Sequence, residues 1–86
     1  MAEYDIWLCE SVVREDLKQV PAADVRRIMA VVRRLAQDPR PQGAARIAGH
    51  GRYRIRSGRY RIVYSVQETS RSLRVVYVGR RRQVSL

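Results

Sequence analysis

At 86 residues the chain has material for one small domain, residues 1–86, with a modest single core. No run of ~18 apolar residues is present to cross a membrane, the start lacks a basic-then-apolar leader, and the lone Cys9 excludes an internal disulfide, so the expectation is a cytoplasmic protein. The net charge of +10 is lopsided: residues 1–39 hold five Arg and one Lys against seven acids, net −1, whereas residues 40–86 hold twelve Arg against Glu68 alone, net +11. Arginine grips phosphate bidentately and stacks on bases, so this imbalance points to nucleic acid.

In chain order, residues 4–9 read as a short edge strand with Tyr4, Ile6 and Leu8 on one side and a partly covered Trp7 on the other. Cys9 lies in this apolar run and reads as a buried structural thiol. Ser11 offers an N-cap to a first helix in which Val13, Leu17 and Val20 recur at helical spacing, ended by Pro21. A second helix is predicted from Ala22 to about Gln37, because Val25, Ile28, Met29, Val32, Leu35 and Ala36 form one apolar stripe. Pro39, Pro41 and Gly43 stop it. The turn between the helices is short, which predicts an antiparallel helix pair.

Residues 44–51 lead into the most informative stretch, residues 51–64. Arg52, Arg54, Arg56, Arg59 and Arg61 alternate there with Tyr53, Ile55, Tyr60, Ile62 and Tyr64. A period of two is the signature of strands with one buried and one wet face. Ser57-Gly58 marks the turn between strands 52–57 and 59–66. After a turn at 67–70, residues 73–78 return as a further strand, with Tyr77 sharing the parity of Leu73 and Val75 and so expected in the core. The order β-α-α-β-β-β predicts an α+β fold, a mostly antiparallel sheet with a two-helix hairpin on one face.

One Cys and one His leave no zinc cluster, and the basic half lacks paired carboxylates, so no metal site or cofactor is expected. RNA can be cut without a metal because its 2′-hydroxyl is a built-in nucleophile. The protein must then align that hydroxyl and stabilise the extra charge on phosphorus, a task that suits converging arginines. Arginine stays protonated and is a poor base; His50 has the one side chain with an ordinary pKa near neutrality. Tyr53, at the mouth of the hairpin, is positioned to stack on a base.

Residues 35–43, Tyr53-Arg-Ile-Arg-Ser-Gly-Arg-Tyr-Arg-Ile-Val-Tyr64 and Val75-Val-Tyr-Val-Gly-Arg-Arg-Arg82 resemble the RelE/ParE superfamily of toxins from type II toxin–antitoxin systems, more closely its RelE branch. The resemblance implies a ribosome-dependent endoribonuclease that cleaves messenger RNA in the A site of the 70S ribosome and arrests translation. It implies catalytic roles for Arg54, Arg56, Arg61 and Arg81, with His50 as a further candidate, and RNA binding by Arg52, Arg59, Arg80, Arg82 and Tyr53. It also implies an acidic RelB-like antitoxin that neutralises the toxin, with promoter DNA contacted only through that complex. The sequence departs from the RelE pattern twice: the strand pair often Lys is Arg54 and Arg56, and Ser85 stands near the position of a C-terminal Tyr. Two other readings stand beside this one: a ParE-like inhibitor of DNA gyrase, and a nucleic-acid-binding module without toxicity.

Overall fold

The computed structural model describes residues 3–47, 49 and 51–80. Two helices pack on one face of a five-stranded sheet. Strands β1 (Asp5–Leu8), β2 (Ala45–Ile47), β3 (Arg52–Ser57), β4 (Tyr60–Gln67) and β5 (Ser72–Arg80) lie in the order β1-β5-β4-β3-β2. All neighbours are antiparallel except β1, which runs parallel to β5. The expected α+β class holds, with one strand more than the sequence pattern suggested. Ala45–Ile47 is only three residues long, too short for alternation to announce it.

Helix α1 (Ala22–Leu35) forms where the apolar stripe predicts it, and it buries Ile28, Val32 and Leu35. Those side chains meet Tyr60, Ile62 and Tyr64 from β4 and Leu73, Val75 and Val78 from β5, all nearly inaccessible to water. The first helix is irregular, a π turn at Val12–Asp16 running into a 3₁₀ turn at Leu17–Gln19. Leu17 N–H closes on Val12 C=O, five residues back. That wider turn changes the phase of the stripe, so Val12 is buried and Val13, the residue expected inside, is half exposed. Ser11 already has helical angles and makes no side-chain cap. Cys9 is half-buried against the core.

Two expectations about aromatic residues are overturned. Trp7 is 60% exposed on edge strand β1 rather than partly covered. Tyr77 is 46% exposed rather than core. Its displacement has a definite origin: Tyr64 pairs with Val75 while Val63 pairs with Tyr77, so Val76 is an extra residue and β5 bulges there. One inserted residue exchanges the two faces of a strand. Beyond the bulge Val78 turns inward and Tyr77 outward.

Candidate nucleic-acid interface

The face of the sheet opposite the helices is built from three cross-strand rows. Arg52, Ser65 and Arg74 form one, and Arg54, Val63 and Tyr77 the next. Arg56, Arg61 and Gly79 form the third. The hairpin that carries most of these residues turns through a two-residue loop, Gly58 and Arg59, with Ser57 paired to Tyr60. Gly58 takes a φ of +59°, which glycine adopts without a Cβ penalty. Arg59 is therefore a loop residue and not, as the alternation suggests, a strand residue aligned with Arg61.

Arg56 and Arg61 are direct cross-strand partners. Like charges at such positions are destabilising, and no carboxylate offsets them. Among the described residues, Arg52, Arg54, Arg56, Arg61 and Arg74 make no ion pair. Glu68, the single acid of this half, lies seven residues beyond Arg61 on the same chain, about 23 Å along an extended strand. Its carboxylate accepts from Tyr4 Oη at 2.6 Å and from Arg40, and these two hydrogen bonds, the tyrosine's first, hold its pKa below the usual value. Thus the arginine rows stay uncompensated. A groove of about 400 Å³ runs beside them, lined by Gln42, Gly43, Ala45, Arg54, Ile55 and Arg56.

The model of the family described as ParE toxin of type II toxin-antitoxin system, parDE, matches residues 10–85. The chain belongs to this toxin family. Its fold is similar to that of RelE in the Pyrococcus horikoshii RelE–RelB complex, with a TM-score of 0.84 at 26% identity over 95% of this chain and 99% of that one. RelE from the Methanococcus jannaschii RelB–RelE complex gives 0.68 at 28% identity, covering 87% and 89%. Isolated Escherichia coli RelE gives 0.81 at 18% identity, covering 94% and 87%, a likeness of fold. No curated protein matches significantly in sequence. The protein is thus a type II toxin of RelE/ParE fold.

The remaining residues expected in the toxin's site are placed unevenly. Tyr53, expected to stack on a base, shares the helix side of the sheet with its partner Tyr64. The two rings stack at 5.7 Å and 24°, and Tyr53 Oη accepts a hydrogen bond from Arg40 Nε at 2.9 Å. Tyr64 is fully buried; its hydroxyl donates to the Pro39 carbonyl at 2.7 Å, and burial pushes its pKa up to about 12. Arg80 pairs with Tyr60 and so projects on the helix side, away from Arg61. His50, Arg81 and Arg82 lie outside the described residues. Arg74 was missed, although its alternation with Leu73 and Val75 puts it on the basic face.

Proposed function

We propose that the toxin is a ribosome-dependent, metal-independent endoribonuclease that cuts messenger RNA in the A site and stops translation. The single observation that supports it most is the opposed pair Arg56 and Arg61, two guanidinium groups facing each other with no carboxylate between them. A phosphate is the ligand that turns this repulsion into attraction. With Arg54 one row away, the pair stabilises the charge that builds on phosphorus as the 2′-oxygen attacks and the 5′-oxygen leaves. The RelE resemblance adds Arg81 to this group and His50 as the proton-transfer candidate. Arg52 and Arg59 bind flanking RNA, the resemblance adds Arg82, and Arg80, on the helix side, is left out of this group.

The two RelE–RelB complexes support a RelB-like acidic antitoxin as the partner that covers the +11 half of this chain, with promoter DNA bound through that complex. Primer extension on a defined message, with and without ribosomes, tests the activity. Cleavage is expected only with ribosomes, and Arg61→Ala should abolish it. A message left intact by wild-type toxin on programmed ribosomes overturns the proposal.

The family match itself favours a second reading, a ParE-like inhibitor of DNA gyrase. Loss of gyrase supercoiling in vitro, with translation unaffected, would select it.

A further inference from the structure

Tyr77 is a large aromatic residue beside the arginine rows, put on that face by a bulge. Bulges re-aim side chains and recur beside functional sites. A second observation comes from Gly79, two residues further along β5 and on the same face. A Cβ built there would lie 2.0 Å from Tyr77 Oη and 2.4 Å from its Cζ. The phenol end of the ring therefore rests on the bare glycine backbone, leaning along its own strand as strand side chains do. A strand glycine of this kind marks a place where something must approach closely, and here it is the hydroxyl.

That placement moves the hydroxyl from the row of Tyr77's own Cα into the next one. Gly79 is the cross-strand partner of Arg61, which in turn faces Arg56. Adjacent strands are about 4.8 Å apart, so the Tyr77 hydroxyl sits over the strand flanking Arg61. Tyr77 stays 46% exposed, so this end of the strand is open to a ligand.

We infer that Tyr77 is a phosphate-contacting residue: its hydroxyl donates a hydrogen bond to the phosphate that Arg56 and Arg61 neutralise. Gly79 is the positioning residue that makes room for it. The inference rests on the phosphate-binding reading of this face, and it adds a neutral donor to a site of cations. The two kinds of ligand differ in salt dependence. An arginine contact releases a counterion, so its loss lowers the slope of log K against log salt by roughly 0.7 for single-stranded RNA. A hydroxyl contact releases none.

The test uses the full-length free toxin and a short single-stranded RNA carrying 2′-O-methyl groups, which binds without being cut. Tyr77→Phe, which keeps the ring and removes the oxygen, should weaken binding about tenfold at every salt concentration, with the slope unchanged. Gly79→Ala, which forces the ring off its seat, should weaken it by a similar factor. Arg61→Ala should weaken binding and flatten the slope. If Arg61→Ala weakens binding while Tyr77→Phe does not, the hydroxyl role is wrong and the basic site stands. If neither matters, the phosphate reading of the face fails and this inference with it. A slope altered by Tyr77→Phe would also overturn the hydroxyl role.

Discussion

Alternate residues of β3, β4 and β5 live in opposite worlds. On one face Ile62, Tyr64, Leu73 and Val75 are sealed in the core beneath the helices. On the other, Arg52, Arg54, Arg56 and Arg61 stand on the same strands with no acidic partner among the described residues. Burial of the first face supplies the free energy that lets the second hold like charges together. Core packing and the display of uncompensated charge are thus separated by residue parity, and substitutions should separate them as cleanly.

The largest effect is expected on the helix side. Ile62→Ala should destabilise the toxin by about 2–5 kcal/mol, seen as a lower midpoint in denaturant unfolding, because a fully buried side chain leaves a cavity. An unchanged midpoint would mean that β4 is not the core strand described above. Across the sheet, Arg61→Ala should lower cleavage on programmed ribosomes by roughly 100-fold or more. Its melting temperature should hold steady or rise slightly, since it relieves the repulsion with Arg56. Equal losses of activity and stability would erase the distinction between the faces.

A smaller effect tests the rim of the core. Tyr64→Phe leaves the Pro39 carbonyl without its buried donor and should cost about 1–3 kcal/mol. The smallest concerns Glu68, whose folded-state pKa lies below its ordinary 4.5 because of Tyr4 and Arg40. A depressed carboxylate pKa means that the folded state favours the ionised form. The contribution is present above about pH 4.5 and disappears as pH falls through the lowered value. Stability curves of wild type and Glu68→Gln should therefore diverge above that pH and converge in acid.

The helix stripe of α1 and the alternation through β3 and β4 were legible because each spans enough residues for its period to show. Arg54, Arg56 and Arg61 could be assigned to one face from parity alone. Tyr53 could have been assigned as well, since it shares parity with Ile55 and not with Arg54; its seat on Tyr64 follows from that. What parity cannot reveal is a change of phase. The bulge at Val76 reverses Tyr77, and the π turn at Val12–Asp16 exchanges Val12 for Val13. Both depend on contacts with other elements: cross-strand pairing to β4 in one case, and packing of the irregular helix against β5 in the other, where Asp16 Oδ2 accepts from Val78 N–H at 3.0 Å.

The parallel pairing of β1 with β5 joins Asp5 to Ser72, so the first strand made finds its neighbour only in the last. β5 is also an inner strand, flanked by β1 and β4. Synthesis proceeds from the N-terminus, and long-range pairs close late. The row containing Arg56, Arg61 and Gly79 therefore cannot assemble on a nascent chain until β5 has been translated. On the reading proposed above, the toxin is by this topology inert until β5 has emerged, an interval in which its earlier strands remain available to an antitoxin.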